Sequence, residues 1–371
     1  MNKYYIAIDI GAGSGAKIGL FESTDKQIDE TFLPSKDYGL IPDQLLNLLT
    51  TKIEEILKNN HIAFKNLRSI GIASPGLFRK DGSWLLPANL LFLKNYNLRK
   101  TLSDKFNIPV AIDNDANIGA LAEWSVLKTE LLYWVFGGGW GGCWITEDGK
   151  IKFSAIDWDG KDSSLHFSNE PGYAIPLEKE ALRTLFYSVE SSYSRFEELL
   201  LDELNLDSKN LLGPNDNPRT IRAESILSGP GRCRVFRAVV GDDNFYERFL
   251  NIHETSQMSD PSIAGQHISK LSSMRVDAAI KTDRLFGKCL ALATQQLIQS
   301  VIKDGGREDM PICLGGKPSY ALPYFGPSTQ RSLGAKGIHN YMRPSILDER
   351  GGNANLTGAA VLAEQTYYSS R

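Results

Sequence analysis

Near its start the chain alternates short apolar runs with polar or glycine breaks. Tyr4–Ile10 is a β-rich run that ends in Gly11, Gly13 and Gly15. Strand character resumes at Ile18–Phe21, so the pattern predicts strand, turn, strand. A polar break at Ser23–Glu30 leads to a third strand at Thr31–Leu33. From Pro42 the apolar residues Leu45, Leu46, Leu49, Ile53, Ile56 and Leu57 follow helical spacing. Ser69–Ala73 reads as the next strand, punctuated by Ser74-Pro75-Gly76. A helix at Leu98–Phe106, a strand at Val110–Ile112 and a helix opening near Asp115 complete an α/β unit.

The cycle then starts again. Leu131–Phe136 is a strand running into glycines, Cys143–Thr146 returns, and Glu147-Asp148-Gly149 has hairpin-turn chemistry. Long helical patterns follow at Leu177–Leu204 and Arg275–Ile302, then a strand at Pro311–Leu314 and a last helix from Asn355. Leu206–Arg219 is a loop by composition, and 241–272 carry no assignable period. Strand, glycine turn, strand thus occurs twice, which predicts duplicated α/β halves of βββαβαβα type with a cleft between them. The expected domains are 1–124 with 355–371, and 125–354.

Composition narrows the function classes. The 371 residues are 42% hydrophobic and 23% charged, with a formal charge of −3. That is ordinary for a globular protein and offers no broad basic surface for nucleic acid or an anionic membrane. The four cysteines, at 143, 233, 289 and 313, form no C-x-x-C pair, which fits a reducing, cytoplasmic setting. Asp9 interrupts the N-terminal apolar run, so neither a signal-peptide core nor a membrane span is expected there.

Asp9-Ile10-Gly11-Ala12-Gly13-Ser14-Gly15-Ala16-Lys17 admits several readings. Gly11, Gly13 and Ala16 satisfy the loose dinucleotide fingerprint, but that needs a helix next, whereas a strand is expected. No Walker loop is present, since Gly-Lys-Ser/Thr is missing at the required spacing. A β-hairpin whose N–H groups face a nucleotide phosphate is the third reading, with Asp9 holding Mg²⁺ directly or through water. A plain tight turn capped by Asp9 is the fourth. Phe136-Gly137-Gly138-Gly139-Trp140-Gly141-Gly142 adds weight to the phosphate reading. Five glycines in six positions cost backbone entropy, so something must approach that backbone closely.

With these segments in order, the chain resembles the glucokinase branch of the hexokinase–actin superfamily, with features of the ROK sugar kinases. The first glycine turn is similar to the family's phosphate-1 segment and Phe136–Gly142 to its phosphate-2 segment. Ile70–Gly76 and Pro87-Ala88-Asn89-Leu90 resemble segments near the sugar. Asp113-Asn114-Asp115-Ala116-Asn117 resembles the stretch with the catalytic aspartate, and Asn169-Glu170-Pro171-Gly172-Tyr173 a sugar-binding segment. Ala223–Gly231 is the most distinctive match, while Cys313–Lys317 and Asn353–Ala360 are similar to the adenosine-side glycine pair and the closing helix.

The resemblance implies a two-domain actin-like ATPase (ribonuclease H-like) fold and a hexose kinase, foremost a glucokinase making glucose 6-phosphate from ATP. It implies Asp115 as general base, and Asn89, Asn114, Glu170, Tyr173 and Glu224 at the sugar. Asp9, Gly11, Gly13, Ser14, Gly138, Gly139, Trp140, Gly141, Gly315 and Gly316 would hold the nucleotide, with Mg²⁺ on Asp9. From position alone Asp115 reads first as a helix N-cap, an order that the resemblance reverses, and Glu170 and Glu224 can also be first-turn decoration. Departures stand at Trp140, where the family has a small residue or threonine, and at Tyr173, where it has histidine. Lys17 is the one weak candidate for a transition-state cation, and no His/Cys zinc cluster is expected, His166 having no cysteine near it. A catalytically weak sugar- or nucleotide-binding sensor of the same fold stays open beside the kinase. A repressor is disfavoured because no DNA-binding helix-turn-helix precedes residue 1. The sugar is the expected partner, with nucleic acid and membrane excluded and a homodimer left open.

Overall fold

In the computed structural model the described residues are 3–11, 15–88, 90–153, 166–204, 213–214, 217–241, 261–349 and 353–371, the side chains of 261–263 and 348–349 excepted. The chain opens with β1 (Tyr4–Gly11), β2 (Gly15–Ser23), β3 (Lys26–Leu33), α1 (Pro42–Asn59) and β4 (Leu67–Ser74). Short strands β5 (Leu77–Phe78) and β6 (Trp84–Leu86) precede α2 (Leu98–Phe106), β7 (Val110–Asn114) and α3 (Asp115–Leu127). Next come β8 (Leu131–Phe136), β9 (Trp140–Ile145), β10 (Ile151–Lys152), α4 (Pro171–Ala174) and β11 (Pro176–Glu178). These are followed by α5 (Lys179–Tyr187), α6 (Tyr193–Leu204), β12 (Thr220–Arg222), α7 (Gly229–Val240), α8 (Pro261–Ser273) and α9 (Asp277–Lys303). The chain closes with β13 (Ile312–Gly315), α10 (Leu322–Gly334), β14 (Met342–Pro344), α11 (Ile346–Glu349) and α12 (Ala354–Ser369).

One sheet is ordered β3-β2-β1-β4-β7 and another β10-β9-β8-β13-β14. Each places three consecutive strands on one side and two later strands on the other, so the predicted repeat of one topology is present. In the first sheet β1 is antiparallel to β2 and parallel to β4, which is parallel to β7. β1 and β4 are central and read as nearly unbroken apolar runs, as strands covered on both faces must. β3 lies at the edge and carries Lys26, Asp29 and Glu30 there. The expected polar break at Ser23–Glu30 is therefore mostly strand, its charge serving the solvated edge.

The chain divides into two compact units, Met1–Tyr133 with Cys143–Ser164 and Ser345–Arg371, and Trp134–Gly142 with Leu165–Pro344. In the first, Ile6, Ile8, Leu49, Ile53, Ile70 and Ile72 belong to a core between the sheet and α1 and α2. α12 packs on β4, β1 and α3, and a Cβ on Gly358 would lie 1.9 Å from the Ile118 carbonyl, so only glycine allows that approach. In the second unit Trp134, Phe136, Trp140, Phe286 and Phe325 form a continuous aromatic chain.

The helical pattern expected over Leu177–Leu204 is interrupted: β11, α5 and α6 share it. The break falls at Ser188–Ser192, where Glu190 adopts φ 57° and the Ser192 hydroxyl accepts from Arg195 N at 3.2 Å. Serines offer the backbone local partners that compete with a helix. Phe186 then packs its ring at 5.6 Å from Tyr193 and 5.2 Å from Phe196 across the bend. Within the unassigned 241–272, α8 covers the part from Pro261. Among the described residues no helix is long and apolar enough to cross a membrane.

Candidate functional site

In the first unit the chemistry gathers where parallel strands end. Asp9 pairs in register with Ala73, Ala73 with Asp113 and Ser74 with Asn114. The C-terminal ends of β1, β4 and β7 therefore share one edge, the side where ligands of open parallel sheets collect. α3 begins at Asp115 directly after β7. Asn114 is its N-cap: Oδ1 accepts from Ala116 N at 2.8 Å, and Nδ2 donates to the Gly76 carbonyl at 2.9 Å. Asp115 follows at the first helical position and accepts from the same Ala116 N–H at 3.0 Å. Capping, which position alone suggested for Asp115, is thus chiefly the work of Asn114. Asn114 itself, placed at the sugar from the sequence, has its carbonyl oxygen and its amide nitrogen engaged by the fold.

Burial pushes the Asp115 carboxyl up to about 6, and the nearby Asp9 charge adds to the rise. Burial also raises Asp9, against the hydrogen bond from Asn355 and the charge of Lys17. Asn355 Nδ2 donates to Asp9 Oδ1 at 3.2 Å, and Lys17 faces Asp9 across the β1–β2 ladder. Asn355 was not singled out in the sequence; its signal was the Asn-Ala-Asn at a helix start, Asn353 capping α12 and Asn355 left to point elsewhere. Ser74 was missed as well. It ends β4 with a fully buried hydroxyl that has no partner among the described residues.

The first glycine turn is a hairpin, because β2 follows β1 directly and Gly11 pairs with Gly15. The dinucleotide reading, which needs a helix there, fails. Tyr38 donates to the Gly11 carbonyl at 3.0 Å and braces the turn. Gly13, Ser14 and Asn89 lie outside the described residues.

In the second unit the turn between β8 and β9 has a different character. A Cβ on Gly137 or Gly138 would meet nothing within 4 Å, and neither residue has positive φ. Packing and backbone conformation therefore do not require glycine at these two positions. Gly139 differs: a Cβ there would sit 2.8 Å from Glu224 Oε2. Gly229 N donates to the Gly137 carbonyl at 2.8 Å, while the Ser228 hydroxyl donates to the Glu224 carbonyl at 2.7 Å. The turn is thereby tied to the start of α7 and to Glu224. Trp140 buries its indole, stacked on Phe136 at 5.7 Å and edge-on to Trp134 at 5.2 Å. Its side chain is spent on the core, so of the nucleotide contact expected at Trp140 only its backbone remains eligible. Gly141 continues β9, Gly315 ends β13, and Gly316, at φ 83°, brings its Cα against the Phe136 carbonyl.

Glu170 immediately precedes α4, which carries Tyr173 and packs on the turn holding Glu224. Arg222 lays its guanidinium 3.8 Å from the Tyr173 ring centroid, and its Nη2 donates to the Tyr173 hydroxyl at 2.9 Å. Burial raises the Glu224 carboxyl and the Arg222 charge opposes the rise. The sequence reading had no cation beside these residues. Arg222 is one, and its place two residues before Glu224 was the available signal.

Among the described residues no three His, Cys, Asp or Glu side chains cluster as a metal cage. Asp9 and Asp115 nevertheless suit Mg²⁺, which takes one or two carboxylates and shares the rest of its shell with water and phosphate. A cation there would offset the charge that pushes Asp115 up. His166 is held otherwise, its ring nitrogens at 2.6 Å from the Ser168 hydroxyl and 2.9 Å from Asp304.

Comparison with known proteins adds to this geometry. A model described as the ROK family matches residues 5–151. A xylose repressor from Caldicellulosiruptor bescii is 36% identical over 124 residues, 32% of this chain and 31% of that protein. The chain therefore aligns with less than a third of that relative's length. An N-acetyl-D-glucosamine kinase from Photobacterium profundum is 30% identical over 278 residues, 73% of this chain and 76% of that enzyme. Among solved structures, a ROK family glucokinase from Streptomyces griseus, in complex with glucose and AMPPNP, gives a TM-score of 0.62 at 17% identity, covering 98% of this chain and 99% of that one. The fold is the actin-like α/β fold of such kinases.

Proposed function

The chain belongs to the ROK family, and from that premise we propose that it is an ATP-dependent sugar kinase, with glucose the first candidate acceptor and glucose 6-phosphate the product. The observation that carries the reading is Asp115: a carboxyl raised to about 6, at the head of a helix, beside a second carboxylate. A sugar hydroxyl is a poor nucleophile, and a positioned carboxylate that takes its proton contributes ~10²–10⁴-fold. A base with a pKa near 6 is ionised at neutral pH and still basic enough to accept that proton.

Phosphoryl transfer otherwise asks for positioning and charge neutralisation. The open space beside Gly137 and Gly138 lets a phosphate approach the backbone of the turn, although the Gly137 N–H itself donates to the Gly139 carbonyl at 2.9 Å, and Gly11 at the first turn serves similarly with Gly13 and Ser14. Asp9 would hold Mg²⁺, which supplies charge neutralisation on the phosphates when bound. Glu170, Tyr173 and Glu224, with Asn89 and Asn114, are the residues assigned to the sugar hydroxyls, and Arg222 orients Tyr173 and Glu224. Gly315 and Gly316 fall to the adenosine side.

A coupled assay with Mg-ATP across glucose, N-acetylglucosamine, mannose and xylose tests this reading. Turnover with one hexose, glucose foremost, is expected. Sugar binding without turnover on any of them would favour the second reading, a sugar-sensing regulator, for which the likeness to a xylose repressor speaks.

A further inference from the structure

Far from that edge, at the opposite end of the same strands, the first unit has a pocket. It has a volume of about 480 Å³ and is lined by Phe64, Lys65, Arg68, Phe106, Tyr367 and Arg371, with the loop Asn107–Pro109 forming one wall. Its floor is Leu67, the first residue of β4, whose last residue is Ser74. Seven residue-to-residue steps along the strand separate them, about 23 Å at the usual rise. The volume lies within the range of small-molecule sites.

Three of the lining side chains are cations and none is a carboxylate, the one carboxylate in the lining being the α-carboxylate of Arg371. Arg68 and Arg371 both lie over the Tyr367 ring, at 5.9 and 4.6 Å from its centroid, and Lys3 lies at 5.4 Å from the same centroid. Among the described residues none of Lys3, Lys65, Arg68 and Arg371 makes an ion pair, whereas exposed lysines elsewhere, such as Lys52 and Lys100, do. Arg68 Nε is buried without a hydrogen-bond partner, and its Nη1 reaches only the Lys65 carbonyl at 3.5 Å. Three like charges around one ring, Lys3 among them with its ammonium also donating to the Tyr368 hydroxyl at 2.9 Å, repel one another, and a buried guanidinium N–H with no acceptor costs free energy. Glu364 acts on Tyr5, on the same helix side as Tyr367, but is not part of the lining. At the mouth, Phe64 stacks on Phe106 at 5.4 Å and leaves 42% of its surface exposed.

We propose that this pocket is a binding site for a small phosphomonoester, its phosphate received by Arg68 and Lys65 and its organic part lying against Phe64 and Tyr367. Guanidinium and ammonium groups recognise phosphate through charge-assisted hydrogen bonds, and the aromatic rings give an apolar body a surface to cover. The phosphate could come from a sugar phosphate or from a nucleoside monophosphate, and the two differ in what they place on Phe64. The site stands apart from the proposed phosphoryl-transfer residues and does not depend on that reading.

Calorimetric titration of the full chain with glucose 6-phosphate, AMP and inorganic phosphate, alongside hydrogen exchange, is the test. At least one organic phosphate is expected to bind more tightly than inorganic phosphate and to protect 64–68 and 106–109 from exchange. Arg68→Gln and Lys65→Gln should each weaken that binding about tenfold or more while leaving turnover without the ligand unchanged; Lys65→Gln, at an exposed position, guards against a folding defect. Binding that is absent, unaffected by both substitutions, or protective only near Asp115 and Gly137 would overturn the proposal. The relative affinities of glucose 6-phosphate and AMP identify the source.

Discussion

Asp115 combines a cost with a use. Its carboxyl is raised from 3.8 to about 6, so the folded state binds the proton more tightly than the unfolded chain does. The corresponding stability is full at acid pH, is lost as pH rises from about 4 through 6, and stays lost above. Two pK units correspond to at most about 3 kcal/mol. Asp115→Asn is therefore expected to raise the melting temperature at pH 7.5, with the difference from wild type vanishing near pH 4. A variant equally stable at both pH values would deny the shift. For wild type, the proposed activity should show kcat/KM climbing along an acid limb with a midpoint near 6 and levelling off above it. A limb near 4 would mean that the ionising group is an ordinary carboxylate. The sequence made Asp115 visible through its motif, but it could not tell base from cap. In the structure the N-cap is Asn114, one residue earlier, with Asp115 sharing the Ala116 N–H. Trp140 was legible as a departure and illegible in its outcome, because its indole finds Trp134 and Phe136 only once the strands are paired.

At the scale of elements, the β8–β9 turn separates ligand requirement from fold requirement. Gly137→Ala adds a methyl group to open space, so stability should change by less than about 1 kcal/mol while the KM for Mg-ATP rises. Gly139→Ala sets a Cβ against the end of the Glu224 side chain, which can swing aside, so it should lower sugar affinity with little loss of stability. If Gly137→Ala leaves the ATP KM untouched, that turn does not hold phosphate. Most elements were readable from apolar spacing: α1 starts at Pro42, α2 spans Leu98–Phe106 and α3 opens at Asp115, all as expected. What failed was the joint at Ser188–Ser192, where apolar residues keep helical spacing on both sides and the bend is set by local serine partners together with contacts among Phe186, Tyr193 and Phe196. Edge strand β3 was shortened for the related reason that a solvated edge looks like a polar loop.

For the whole molecule, duplication was the most legible property, since two strand–glycine–strand signals became two sheets of one topology. Less legible was the polar frame inside the second unit. Arg232 and Asp283, 2% and 1% exposed, join through Nε and Nη2 at 3.0 and 2.8 Å, and Gly265, Ser269 and Ser272 satisfy the remaining groups. The pair binds α7, α8 and α9 together. Arg232→Met, which strands the carboxylate, should cost about 3–5 kcal/mol, and adding Asp283→Leu should recover most of it. Chemical denaturation of the two variants measures this, and equal losses would contradict the pairing. The functional account turns on a single carboxylate. Its most direct test is phosphorylation of glucose by Mg-ATP in wild type and Asp115→Asn, with glucose affinity measured in parallel. The account predicts turnover reduced by ~10²–10⁴-fold with affinity within a few-fold of wild type; turnover near the wild-type rate in the variant would contradict it.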